Sequence, residues 1–246
     1  MSRGFELEVC VDRIDTALLA ARAGATRIEY NSALALGGLS PSVASCKFLV
    51  EELPIPVVAM LRPHDRSFVY TDLEKESLLE DAVTLAKTGI AAIVFGALTR
   101  EGRIDESILK NLAASIPGLP IVFHRAFDEV QDQFEALDVL LANGVVRVLT
   151  SGGAETAWQG RARLKALQEK AEGRIEILPG SGVNESNAAE LLLAVGCRQL
   201  HGSFGANRTA PITQIEKELP EANKAFADEI ANVRQVMECT LTERKS

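Results

Sequence analysis

The sequence predicts an α/β protein that folds as a single (β/α)8 barrel of the TIM type, and three observations support this class. The chain has 246 residues, of which 47% are hydrophobic and 24% charged, so it can bury one large core. Eight short, β-rich segments alternate with longer segments whose apolar residues recur at helical spacing. Because no linker or low-complexity stretch interrupts them, we expect one domain over residues 1–246 and favour a closed barrel over an open doubly wound sheet.

The predicted strands are segments of five or six residues, mostly apolar, as expected for strands that a parallel sheet buries on both faces. In chain order they are FELEVC (5–10), TRIEY (26–30), PVVAML (56–61), AAIVFG (91–96), PIVFHR (120–125), VVRVLT (145–150), IEILPG (175–180) and CRQLHG (197–202).

The predicted helices between these strands end at glycine. DTALLAARAGA stops at Gly24 before the second strand, and EALDVLLANGV stops at Gly144 before the sixth. The same device precedes strands four and eight, and glycine is the usual residue just beyond a helix end. The last helix is predicted near 221–239. Its apolar spacing places four residues on the inner face, namely Ala225, Ile230, Val233 and Val236.

The charge balance argues against two classes of partner. The chain has 26 basic and 34 acidic residues, a formal net charge of -8, and no basic cluster, so phosphate backbones and anionic membrane surfaces are repelled. The amino terminus lacks the apolar region of a signal peptide, and no apolar run reaches the ~18 residues of a membrane span. We therefore expect a soluble, intracellular protein that binds neither nucleic acid nor membrane.

The cysteines do not form a framework. There are four, Cys10, Cys46, Cys197 and Cys239, they are widely spaced, and no CxxC pair occurs. This pattern predicts reduced thiols rather than disulfides or a zinc knuckle.

Polar residues collect where the predicted strands end, which in such a barrel is the site of chemistry. The fifth strand ends in His124 and Arg125, with Asp128 close behind. Since neighbouring side chains on a strand point to opposite faces, we expect His124 to enter the barrel, with Asp128 as its orienting partner. Arg125 is then expected to form an ion pair, either at the rim or between strands.

The first three strands supply two carboxylates and a cation, namely Glu8, Glu29 and Arg62. A carboxylate inside a barrel needs a cation or hydrogen-bond donors to stay ionised. Together with His124 and Asp128, these residues are candidates for catalysis. A structural Glu–Arg network that fixes the barrel is equally compatible with the pattern.

Glycine-rich turns follow the sixth, seventh and eighth strands: TSGG (150–153), GSG (180–182) and HGSFG (201–205). Barrels often bind anions through late loops, because backbone N–H groups can close on the ligand there. The candidate anion-binding residues are Ser151, Gly152, Gly180, Ser181, Gly182, His201 and Ser203. The alternative is that tight turns need glycine for their own geometry.

Several segments together resemble one family. They are LEVCVD (7–12), GGLSPS (37–42), RPHDRSFVY (62–70), FGALTREGRID (95–105), FHRAFD (123–128), RVLTSGG (147–153), GSGV (180–183) and LHGS (200–203). In this order, over about residues 5–205, the chain resembles the CutC-type copper homeostasis proteins. The resemblance implies a (β/α)8 barrel, a cytoplasmic location, an assembly of two or more identical subunits and a link to copper.

The resemblance also implies that Cys10 is a metal ligand, but the chain differs from the family pattern at a second ligand position. In the family pattern, the first strand carries a cysteine that matches Cys10, and the second strand ends in Glu-Leu-Cys. Here the second strand ends IEYN, so Asn31 stands where the second cysteine is expected. Cu(I) prefers thiolate and thioether ligands, so we expect Cys10, helped by a rim histidine, to bind copper weakly.

Two functions stay open on this basis. One is copper homeostasis through Cu(I) binding at Cys10. The other is a barrel enzyme that acts on a small anionic or phosphorylated substrate, with Glu8, Glu29 or His124 transferring protons.

Overall fold

The computed structural model describes residues 4–206 and 212–243 and confirms the predicted class. Each strand ends within two residues of its predicted bounds. The strands in the described residues are β1 Glu6–Val11, β2 Arg27–Tyr30, β3 Val57–Met60, β4 Ala92–Phe95, β5 Ile121–Phe123, β6 Arg147–Thr150, β7 Glu176–Pro179 and β8 Gln199–Gly202.

Helices follow the strands in strict alternation. They are α1 Ile14–Ala23, α2 Val43–Glu52, α3 Asp72–Ala86, α4 Glu106–Ser115, α5 Gln133–Ala142, α6 Arg161–Ala171, α7 Glu185–Val195 and α8 Ile212–Glu243. Two short 3-10 helices, Leu34–Leu36 and Arg125–Glu129, lie in the loops after β2 and β5. None of the helices in the described ranges is both long and apolar enough to cross a membrane.

All hydrogen-bonded strand neighbours are parallel, in the order β7-β6-β5-β4-β3-β2-β1-β8. The barrel is nearly closed: β7 and β8 are the two ends of the sheet, and the side-chain amide of Gln199 on β8 donates to the carbonyl of Ile177 on β7 at 3.3 Å. The amide oxygen of Gln199 accepts from Nε of Arg147 at 3.2 Å. One side chain on β8 therefore contacts both β7 and β6 at the closing seam.

Glycine ends the helices where the sequence predicts it. Gly24 follows α1 with a φ of 111°, and its N–H donates to the carbonyls of Ala20 and Ala21. Gly196 follows α7 in the same left-handed conformation, and Gly144 follows the Asn143 cap of α5 with a φ of 72°. A residue with a Cβ is strained in this conformation, which explains why these chain reversals use glycine.

Apolar side chains form two separate layers. The larger fills the space between strands and helices, and it includes Leu7, Ile28 and Phe123 from the outward strand positions. The smaller consists of Val58, Met60, Ala92, Val94 and Val122. These five residues alternate with the outward ones along β3, β4 and β5, so they fill one side of the barrel interior.

The last helix is longer than predicted and is rotated from the predicted face. It spans Ile212–Glu243 and packs on α1 and α7. Ile230 and Val233 are buried as predicted, but Ala225 is exposed and Val236 only half-buried. The buried face uses Phe226, Ile230, Val233, Met237 and Leu241, since a rotation that buries Phe226 and Met237 removes more apolar area from water.

Candidate functional site

A cavity of about 1020 Å³ opens among the loops that follow the strands. Its wall combines side chains from β1, β2 and β8 with loop residues after β3, β5 and β7 and one face of α8. The residues that matter for chemistry are Cys10, Glu29, Arg62, His124, Ser181, Gly182, His201 and Ser203. Distant parts of the sequence thus meet at the carboxyl ends of the strands.

A buried cluster of three metal-binding side chains lies in this wall. Cys10, Glu29 and His201 each offer one ligand atom, and these atoms all lie within 4.8 Å of one another. The pairing of β1 with β2 sets Cys10 opposite Glu29, and the thiol donates to Oε1 of Glu29 at 3.2 Å. The other carboxylate oxygen, Oε2, is buried and has no hydrogen-bond partner among the described residues.

Asn31 borders the cluster. Its side-chain amide lies 3.1 Å from Sγ of Cys10 and 3.2 Å from Oε1 of Glu29. The Asn31 side chain therefore touches the thiol that the sequence singled out. Its own oxygen, Oδ1, is buried without a partner in the described part of the chain.

Glu8 lies deeper than predicted and does not line the cavity. It is fully buried, accepts from Arg27, and lies 2.8 Å from Nδ1 of His201. The register sets Glu8 opposite both Arg27 on β2 and His201 on β8. Glu8 is thus the third of six strand residues rather than a strand end, and it lies beside His201 on the neighbouring strand.

These contacts set the charge states. Burial opposes ionisation of Glu8, but the Arg27 guanidinium and the hydrogen bond from His201 hold the pKa of Glu8 below its usual range. Burial alone lowers the pKa of His201, yet the carboxylates of Glu29 and Glu8 raise it above its ordinary value. Burial and the charge of Glu8 raise the pKa of Glu29. Burial and the Glu29 carboxylate raise the pKa of Cys10 well above its usual range, so Cys10 stays a thiol until a cation arrives.

Arg62 and His124 form a second polar group in the wall. Both are buried, and the ring of Phe68 lies 4.9 Å from the centre of each. Gly96 leaves the room that His124 needs, because a Cβ at Gly96 would lie 2.4 Å from the imidazole. Burial and the charge of Arg62 lower the pKa of His124 to about 3. His124 is therefore neutral near pH 7 and is a weak base.

The predicted partnership of His124 with Asp128 is wrong. Nδ1 of His124 accepts instead from the N–H of Ala126, at 3.1 Å. Asp128 turns away and forms an ion pair with Arg125 at 2.8 Å, which confirms the rim ion pair expected for Arg125. The reason is local: the chain enters a 3-10 turn at Arg125, so residues three apart face one another and Asp128 meets Arg125.

Backbone N–H groups in the loop after β6 already donate to a carboxylate of the protein itself. Asp128 accepts from the N–H groups of Ser151 and Gly153, at 3.1 and 3.0 Å, and the N–H of Gly152 donates to Oγ1 of Thr150. Ser151 is fully buried. The donors of Ser151 and Gly152 are thus satisfied inside the protein, and these two residues do not form the predicted anion cradle.

The loops after β7 and β8 remain open to the cavity. Ser181 and Gly182 line it, both with left-handed φ values of 83° and 69°, and Ser203 lines it as well. The N–H of Gly180 donates to the carbonyl of Thr150 at 3.1 Å, so this residue serves strand pairing. A positive φ at a serine is strained, and such strain tends to occur at functional sites.

Some residues lie outside the cavity, and others were missed. His64, in the loop after β3, contacts Glu74 of α3 at 3.1 Å and does not line the cavity. Arg27 and Phe68 were not singled out. The alternation along β2 could have found Arg27, which shares a strand face with Glu29. The position of the Phe68 ring depends on the conformation of the loop after β3, and no local sequence pattern predicts that conformation.

Comparison with known proteins agrees with this architecture. A model of the CutC family matches residues 5–206. A copper homeostasis protein cutC homolog from Homo sapiens is 42% identical over 208 residues, which cover 84% of this chain and 76% of the human protein. A CutC family protein from Treponema denticola is 40% identical over 212 residues, which cover 86% of each chain.

A solved structure also supports the match to the CutC family. The crystal structure of a CutC protein from Streptococcus agalactiae matches with a TM-score of 0.77 and 34% identity, and the match covers 81% of this chain and 98% of that one. The family model spans well over half of the chain, and both the sequence and the structural relatives cover most of it. The chain therefore belongs to the CutC family.

Proposed function

We propose that this protein serves copper homeostasis by binding copper at Cys10, Glu29 and His201. The observation that carries the proposal is the placement of their three ligand atoms within 4.8 Å of one another in a buried part of the cavity wall. Thiolate and imidazole are both established copper donors, and the carboxylate adds negative charge. The human relative is a copper homeostasis protein cutC homolog, which supports copper as the metal.

The surroundings of His201 suit a metal ligand. Nδ1 of the ring lies 2.8 Å from Oε1 of Glu8, so this nitrogen carries the proton and the other ring nitrogen is left for a cation. A carboxylate behind a ligating histidine fixes the tautomer and raises its basicity. Glu8 is held in turn by Arg27. In this proposal, Glu8 and Arg27 position the histidine and do not touch the metal.

We expect Cu(I) to bind weakly, because Cys10 is the one thiol in the cluster. The raised pKa of Cys10 adds a cost, since the thiol must lose its proton before it binds. The amide of Asn31 already lies beside the Cys10 sulfur. A cysteine at position 31 would place a second thiolate next to the first.

The test is competition against a Cu(I) chelator under reducing conditions. Asn31→Cys should tighten binding, and Cys10→Ser should abolish what the unmodified protein shows. Cys239→Ser is the matched control, because Cys239 is an exposed thiol on α8 and should leave the affinity unchanged. Tight one-to-one binding that survives Cys10→Ser would contradict the proposal.

The cavity itself favours a second function, an enzyme that acts on a small anionic substrate. A volume of about 1020 Å³ is suited to an organic molecule rather than to a single ion. For proton transfer in such an enzyme, Glu29 is the better candidate, since its pKa is raised. Glu8 does not line the cavity, and His124 is too weak a base.

We also infer a cytoplasmic location and an assembly of two or more identical subunits, both from the family resemblance. Light scattering on the purified protein should give a mass that is a multiple of the 26.5 kDa chain. A monomeric mass at micromolar concentration would contradict the assembly.

A further inference from the structure

Arg62 is a buried cation without a counter-ion among the described residues. Its residue exposure is 7%, yet none of the described carboxylates forms an ion pair with it. Its hydrogen bonds go to three backbone carbonyls instead, those of Leu36, Gly38 and Asp65 at 3.1 to 3.3 Å. A buried guanidinium is costly unless a negative charge compensates it, and Arg62 lines the cavity.

The unused donors of Arg62 match an anion. A guanidinium carries five N–H donors. Two on Nη1 and one on Nη2 go to the carbonyls, while Nε is buried and has no partner in the described part of the chain. The two remaining hydrogens sit on Nε and Nη2. Paired donors on adjacent nitrogens are what a carboxylate accepts in a bidentate contact.

His124 contributes a third free donor. Because its Nδ1 accepts from the N–H of Ala126, the ring proton of the neutral imidazole lies on Nε2. Nε2 is buried and has no partner among the described residues. Arg62 and His124 flank the same Phe68 ring, each at 4.9 Å, and both line the cavity. Three unpaired donors from two neighbouring side chains thus lack an acceptor.

We propose that the cavity binds a small organic carboxylate, with its carboxylate group paired to Arg62 and accepting from His124. A monoanion fits better than a phosphate dianion, because Arg62 offers a single unpaired charge and the wall also carries Glu29 and Glu129. The rest of the molecule fills the cavity toward Cys10, Glu29 and His201. Neither Arg62 nor His124 belongs to the proposed copper cluster, so this ligand is independent of the metal.

The test is calorimetric titration with acetate, glycolate and pyruvate as carboxylate probes and inorganic phosphate as the dianion probe. We expect at least one carboxylate to bind, more tightly than phosphate. Arg62→Gln should weaken that binding by about tenfold or more, and Arg62→Lys should restore part of it. Arg66→Gln is the matched control, since Arg66 lies on the same loop but is exposed and pairs with Glu74.

A second measurement does not depend on a folded variant. In the unaltered protein, the bound carboxylate should shift the ring resonances of His124 in the NMR spectrum. No carboxylate binding, tighter binding of phosphate, an unchanged affinity in folded Arg62→Gln, or an unshifted His124 ring would each overturn the proposal. The carboxylate titration uses metal-free protein and the Cu(I) competition uses protein without added carboxylate, so failure of one proposal is distinguishable from failure of the other.

Discussion

The barrel interior has two halves with opposite chemistry. The apolar half consists of Val58, Met60, Ala92, Val94 and Val122 on β3, β4 and β5. The polar half consists of Glu8, Arg27, Glu29, Arg147, Gln199 and His201 on β1, β2, β6 and β8. The polar half holds the proposed copper ligands Glu29 and His201 and joins the closing seam at Gln199. The apolar half fills the barrel interior with packed side chains, as a hydrophobic core does. The contrast shows that the residues of the candidate site lie on one side of the barrel only.

The two halves should respond differently to substitution. Removing a methyl group from the apolar half leaves a cavity, whereas removing one charge from the polar half leaves another charge buried without its partner. The polar half should therefore be the more sensitive of the two to single changes and the more tolerant of paired changes.

The largest expected effect is at Arg27. Arg27→Met removes the cation that holds the fully buried Glu8 and should lower the free energy of unfolding by about 3–5 kcal/mol. Denaturant titration measures this loss. The paired change Arg27→Met with Glu8→Gln should recover part of it, because no charge is then left alone. A single-variant loss below about 1 kcal/mol would remove the contrast between the halves.

A smaller effect is expected in the apolar half. Val122→Ala deletes two methyl groups from a fully buried side chain and should cost about 2 kcal/mol of unfolding free energy. Val146→Ala is the matched control, because Val146 is 38% exposed and should cost less than about 0.5 kcal/mol. Equal losses at the two positions would show that the inner cluster is not a packed core.

The effect on the free energy of unfolding that is smallest, taken per pH unit, concerns the protonation of His124. Since burial and Arg62 lower the pKa of His124 from 6.5 to about 3, the unfolded chain binds this proton more readily than the folded protein. Stability should fall as pH drops below 6.5, by up to about 1.4 kcal/mol for each pH unit until about pH 3. Unfolding measured between pH 6.5 and 5 should show a shallower slope in His124→Gln. An identical slope in the variant would contradict the assigned charge state.

The sequence determined the fold more fully than the site. Helix stops at Gly24 and Gly196 and the apolar strand segments are local signals, so the strand order and bounds could be predicted. Strand alternation also placed Glu29 and His124 on the inner face. The level along the barrel axis was not predictable, because it depends on the register between strands. That is why Glu8 was expected at the mouth but is fully buried beside His201 and does not line the cavity.

Loop conformation limited the remaining predictions. The 3-10 turn after His124 directs Asp128 to Arg125 and to the loop after β6, and a short-range pattern does not specify that turn. Likewise, the difference between Ala225 and Phe226 on α8 is a rotation of one residue, which only packing against α1 and α7 decides.

The most direct test of the central claim, that the polar half carries the copper site, is a crystal structure of the protein grown with Cu(I) and read by anomalous scattering at the copper edge. We expect one strong peak within bonding distance of Cys10 Sγ, a Glu29 oxygen and a ring nitrogen of His201. A fully occupied copper peak elsewhere, such as at Cys239, with none at these three residues, would contradict it.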